Sequence, residues 1–103
     1  MGDPMKIRAT LVGDATEVKV LMNHEMETGQ RKDAQGQPIP AWFIQNVVAT
    51  WNGRTVLSAQ WGPAVAKNPF LSFKFKGGAK GEKVSITWVD TRGDTRTDEA
   101  VIA

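Results

Sequence analysis

Short alternations of apolar and polar residues, separated by glycine, proline, asparagine or aspartate, recur along most of this chain and predict strands. From Lys6 to Val12, Ile7, Ala9 and Leu11 alternate with Lys6, Arg8 and Thr10; Gly13-Asp14-Ala15 then turns the chain. From Thr16 to Met22, Val18, Val20 and Met22 alternate with Glu17, Lys19 and Leu21, which makes the two segments a hairpin or an edge pair. Phe70 to Lys76 is the clearest case, with Leu71, Phe73 and Phe75 inward and Ser72, Lys74 and Lys76 outward. Gly77-Gly78-Ala79-Lys80-Gly81 reads as a flexible hairpin loop leading to Lys83 to Val89, where Val84, Ile86 and Trp88 are core candidates. Thr91-Arg92-Gly93-Asp94 is the last turn, before a strand from Thr95 to Ile102.

The stretch Trp42 to Trp61 holds the strongest local signal. Asn52-Gly53 lies between two runs of β-branched and aromatic residues, and both of its residues tolerate the positive φ of a type I′ turn. A hairpin closed there pairs Trp51 with Arg54, Thr50 with Thr55, Ala49 with Val56, Val48 with Leu57, Val47 with Ser58 and Ile44 with Trp61. Strict alternation then puts Ile44, Val48, Leu57 and Trp61 on one face, the stronger core candidate, and Val47, Ala49 and Val56 on the other. The second face is apolar as well, so it is a candidate partner surface.

From Asn23 to Pro40 the apolar pattern stops, leaving a long charged loop of the kind that is functional or mobile in compact domains. Gly62 to Pro69 is a crossover bounded by prolines. About seven short strands with regular turn signals and no helical period predict an all-β chain: an immunoglobulin-like or fibronectin-like antiparallel β-sandwich. The cysteine and tryptophan signature of antibody domains is absent. Residues 1–5 are read as a flexible tail and 6–103 as a single domain.

Composition narrows the chemistry. With no cysteine among 103 residues, the chain has no disulfide, thiolate nucleophile, zinc knuckle or thiol carrier of its own. A net charge of +2 is weak support for nucleic acid binding, even with a pI of about 9.2. No apolar run is long enough for a membrane span or a signal peptide, which by itself predicts a soluble cytoplasmic protein.

Candidate sites are few. His24, the one histidine, sits with Glu25 and Glu27 in a loop, short of the three or four ligands of a metal site, and a lone loop histidine is ordinarily solvated. Ser58, Ser72 and Ser85 lie on predicted strands without a nucleophile elbow. The 77–81 segment lacks a phosphate-loop ending and opens no helix. Lys74, Lys76, Lys80 and Lys83 form either an electropositive patch or a solvated face that discourages edge aggregation. Trp61 and Trp88 fit core positions; Trp42 and Trp51 are open to a partner, or to stacking on a sugar. The residues specify no catalytic, metal or cofactor site.

Three motifs in order, Met22 to Asp33 (MNHEMETGQRKD), Thr55 to Lys76 (TVLSAQWGPAVAKNPFLSFKFK) and Trp88 to Ala100 (WVDTRGDTRTDEA), resemble the SoxZ family of the bacterial sulfur-oxidising Sox system, over about Met5 to Ile102. Glu25 departs from the family pattern, where proline is common. The resemblance implies a non-enzymatic subunit of a SoxYZ heterodimer, without a cofactor. SoxY carries sulfur intermediates on a cysteine near its flexible C-terminus, thiosulfate is joined to it by a haem enzyme, and sulfate is released by a hydrolase. It also implies a periplasmic location, reached by co-export with SoxY on that partner's twin-arginine signal, and self-association when the chain is isolated. Under this reading Trp42, Val47, Ala49, Trp51 and Val56 are the expected SoxY-binding residues. His24, Met26, Glu27, Arg31, Lys32 and Lys80 are the expected recognition surface for Sox enzymes. The alternative is a ligand-binding sandwich, for instance one that takes carbohydrate on exposed tryptophans.

Overall fold

A computed structural model describes residues 2–103; Met1, the start of the expected tail, lies outside the described residues. The chain forms seven strands: β1 (Lys6–Val12), β2 (Ala15–Leu21), β3 (Ile44–Trp51), β4 (Arg54–Gln60), β5 (Phe70–Lys76), β6 (Lys83–Asp90) and β7 (Thr95–Val101). They pair antiparallel in two sheets, ordered β1-β2-β5 and β4-β3-β6-β7. The predicted immunoglobulin-like sandwich is the observed fold.

Alternation places the core as expected on β2 and β6, where Val18, Val20, Val84 and Ile86 are fully buried and Trp88 nearly so. On the central hairpin it does not. The turn is the predicted one, with Asn52 at φ 51° and Gly53 at φ 74°, and Trp51–Arg54 and Thr50–Thr55 pair as expected. One step further, the ladder shifts between Ala49 and Thr50, so that Val56 is the extra residue on β4 and Ala49 pairs with Leu57 and Val47 with Ala59. A second irregularity, between Ile44 and Asn46 on the β6 side, absorbs Gln45. The two bulges let Ile44, Val47 and Ala49 all point inward, each with no exposed surface, while Val48 turns outward beside Thr87 and Ser58. Val47 and Ala49 are therefore core, and a partner cannot reach them without opening the sandwich.

The flanks of the sandwich differ. On one side β1 runs against β7, and the end of the chain sews them together: Ala9 bridges Ile102, Ala103 N–H donates to Ala9 O at 2.9 Å, and Leu11 N–H donates to Ala103 O at 3.0 Å. On the other side β4 and β5 are sheet edges. Here the inward Leu57 and Ala59 of β4 and Leu71 and Phe73 of β5 stay half-buried, and Trp61 joins them just past β4.

The glycine-rich segment expected to be flexible is held in place. Buried Thr16 donates its hydroxyl to Gly77 O at 2.8 Å, and the path continues at φ +98° through Gly78, where a Cβ would lie 2.1 Å from Thr16 Oγ1. Trp51 closes the same end of the sandwich, with its ring 5.2 Å from Phe75 of the opposite sheet.

Met5 is part of the core, at 7% exposure, and its backbone N–H donates to Asp98 Oδ2 at 2.9 Å. Met5→Ala is expected to cost about 2 kcal/mol or more, the usual result of emptying a buried methionine site. Urea unfolding checks this; an unchanged midpoint would put the residues before Lys6 outside the cooperative unit.

Candidate functional site

Three buried polar side chains, His24, Glu27 and Asp90, gather at the end of the sandwich where β2, β3 and β6 meet the long loop, away from the buried Thr16. Asp90, the last residue of β6, is 2% exposed. Its Oδ1 accepts the backbone N–H groups of Arg92 and Asp94, both at 2.9 Å, which shapes the β6–β7 turn. Its Oδ2 accepts the Trp42 indole N–H at 2.7 Å and lies 3.0 Å from His24 Nε2. Met26 N–H donates to the other ring nitrogen, Nδ1, at 3.1 Å, so the ring proton sits on Nε2 and points at Asp90. Burial alone raises the Asp90 carboxyl, but the hydrogen bonds from His24, Trp42, Asp94 and Arg92 outweigh it and hold the group below its ordinary value.

This arrangement corrects the reading of His24 as a solvated loop residue. The ring is 4% exposed and packs against Trp42 at 4.8 Å and Trp88 at 5.1 Å. Both of its nitrogens are occupied, so neither is free to ligate a metal or relay a proton. Among the described residues no group of three or more histidine, cysteine or acidic side chains is placed to hold a metal ion.

The loop that follows is a folded arm. Glu27 and Trp42 exchange both backbone hydrogen bonds, at 2.6 and 3.0 Å, and Arg31 O accepts from Ile39 N–H at 2.8 Å. Asp33 Oδ1 caps the tip through the N–H groups of Gln35 and Gln37, both at 2.9 Å. Glu27 is nearly buried and receives a forked bond from Arg31, with Nε to Oε1 at 2.8 Å and Nη2 to Oε2 at 2.6 Å. That fork holds the Glu27 carboxyl below its usual value against the opposing effect of burial. Met26, at φ 52°, buries its side chain and accepts Ile44 N–H on its sulfur at 3.3 Å.

Of the six expected recognition residues, His24, Met26 and Glu27 are thus internal and build the base of the arm. Arg31 and Lys32 are exposed along it. Lys80 is exposed too, but it lies in the segment bonded to Asp14 and Ile102, at the opposite end of strands about 20 Å long. The six do not form one surface. Beside the arm, residues 25–31 and 63–67 enclose an open cleft of about 490 Å³, with Glu25 and Lys67 paired at 3.2 Å.

The expected partner residues also divide. Trp42 has Arg92 4.2 Å above its ring and His24 against it; Trp51 donates to Glu82 Oε1 at 3.0 Å and packs against Phe75 and Gly77. Both rings are half-buried and engaged within the fold. Val56 stands at a margin that a partner can touch, the bulge on edge strand β4. Sequence reasoning missed its neighbours Leu57, Ala59, Trp61, Leu71 and Phe73, because they alternate inward like core residues. Their flank is open only because β4 and β5 end their sheets.

Acid titration isolates the Asp90 network. Its folded pKa lies below the unfolded value near 3.9, so its stabilisation is complete above that value and is lost as pH falls through the lower folded one. Asp90→Asn is expected to cost about 3 kcal/mol at neutral pH and to flatten the acid limb of stability below about pH 4. A variant with the native acid limb would assign that limb to other carboxylates.

A protein-family model described as "Sulphur oxidation protein SoxZ" matches residues 5–101. No curated protein sequence matches the chain. Among solved structures, a superoxide reductase in the oxidised state superposes with a TM-score of 0.62 at 15% identity, covering 96% of this chain and 86% of that one. The superoxide reductase (neelaredoxin) from Ignicoccus hospitalis gives a TM-score of 0.61 at 14% identity, covering 97% of this chain and 79% of that one. At such identities the likeness is one of fold alone.

Proposed function

Because the chain belongs to the SoxZ family of sulphur oxidation proteins and so to the Sox system, we propose that it is the non-catalytic subunit of a SoxYZ carrier, holding SoxY folded and presenting it to the pathway enzymes. The observation that carries the partner role is the open β4–β5 flank. Val56, Leu57, Ala59, Trp61, Leu71 and Phe73 line it half-buried, between two strand edges whose outer backbone groups have no neighbouring strand. An apolar row of this kind between free edges suits a permanent partner, whose packing removes it from water and satisfies the edges. The cysteine-free composition agrees with a subunit that leaves covalent sulfur to SoxY. The arm, with Lys32 exposed and the 490 Å³ cleft at its base, supports contact with enzymes that visit the carrier. The location that goes with this reading is the periplasm, reached together with SoxY.

Mixing the chain with purified SoxY on a sizing column with mass detection is expected to give a 1:1 complex that survives dilution and shifts Trp61 emission to the blue. Val56→Glu should weaken that complex by about tenfold or more, with the isolated variant still unfolding cooperatively. Absence of a complex between two folded proteins would overturn the partner role. Lys32→Glu is expected to slow sulfur transfer between carrier and enzyme at low salt with the heterodimer intact; unchanged kinetics would remove the arm from recognition.

A further inference from the structure

We propose that the outer face of the β1-β2-β5 sheet docks an acidic protein surface with an apolar side chain at its margin. Alternation sends Lys6 and Arg8 of β1, Lys19 of β2, and Lys74 and Lys76 of β5 to this one face, all exposed. The chain as a whole is only +2, so these cations leave the rest of the molecule net negative. Among the described residues Glu17 is the one carboxylate on the face, shared between Lys19 at 3.6 Å and Lys74 at 3.8 Å.

Register makes the concentration costly. Arg8 pairs directly with Lys19, and two like charges directly opposite each other destabilise a sheet. Solubility does not require that pairing, and an anionic partner relieves it.

The same face ends in an apolar corner. Leu21 pairs with Phe70, and they are 42% and 63% exposed, Phe70 being the most exposed large apolar side chain among the described residues. With Lys6, Arg8 and Lys19 of the face, and Ile7 at its margin, they bound a shallow recess of about 290 Å³. An exposed aromatic ringed by cations is the make-up of a binding anchor within a charged rim.

The pattern also selects the class of partner. Phosphates of a lipid or nucleic acid surface offer acceptors alone, and Glu17 at the centre of the face repels them. A folded protein can set carboxylates opposite Arg8, Lys6 and Lys76 and spare Glu17. This docking is separate from the β4–β5 flank and stands whether or not SoxY occupies that flank.

The test uses the full chain, ¹⁵N-labelled, titrated with a synthetic glutamate-rich peptide carrying two leucines, at about 20 and 200 mM NaCl. Amide shifts are expected to map to residues 6–8, 19–21 and 70–74. Arg8→Glu with Lys19→Glu should weaken binding about tenfold or more, whereas Arg54→Glu with Lys83→Glu, an equal charge change on the other sheet, should alter it less than about twofold. Phe70→Ser should weaken binding without changing its salt dependence. Equal losses in the two double variants, shifts elsewhere, no binding of the peptide, or tighter binding to phosphatidylglycerol vesicles through the same residues would each overturn the proposal.

Discussion

A single buried carboxylate organises one end of this sandwich. Asp90 receives the side-chain N–H groups of His24 and Trp42 and the backbone N–H groups of Arg92 and Asp94. A carboxylate in a nearly dry site is tolerable only when its lone pairs are met, and here they are met from three separate parts of the chain. The long arm, the start of β3 and the β6–β7 turn take their positions from that bonding. Remove the carboxylate and His24 and Trp42 would keep buried donors with nothing to accept them.

The histidine, the two acids and the serines that would draw attention in a search for catalysis are either spent on holding the fold or lie apart from one another. What the molecule offers instead is surface of differing kinds. One flank is sealed by the C-terminal residues, the opposite flank is apolar and open, and the outer face of the smaller sheet is basic. Such a distribution suits a protein that works by holding others in place.

Much of the architecture was legible from residue order. All seven strands, the Asn52-Gly53 turn and the buried rows of β2 and β6 follow from period-two alternation and turn chemistry. The faces of the central hairpin were misassigned because Gln45 on β3 and Val56 on β4 each add one residue and invert what lies beyond it, and nothing in FIQNVVATWNGRTV marks either as extra. The site was harder still. His24 and Asp90 lie 66 positions apart, and only tertiary packing reveals that a histidine in a charged loop has an acceptor waiting inside. Arg31 and Lys32 kept the exposure expected of them, whereas Lys80 was grouped with them by charge, which carries no information about which end of a sandwich a loop occupies.

The seam between β1 and the last residues of the chain bears on how the molecule forms. Ala9 and Ile102 become neighbours only after nearly the whole polypeptide has been brought together, so closing that flank carries a loop-entropy cost that no local hairpin repays. High contact order of this sort puts folding on a timescale of about milliseconds to seconds. During that interval the apolar β4–β5 flank and the unsealed β1 edge are exposed at once. A nascent chain emerging residue by residue cannot complete the sandwich until its final strand is released, and the hairpins already made must wait for it, within reach of chaperones or of a partner whose own strands are ready.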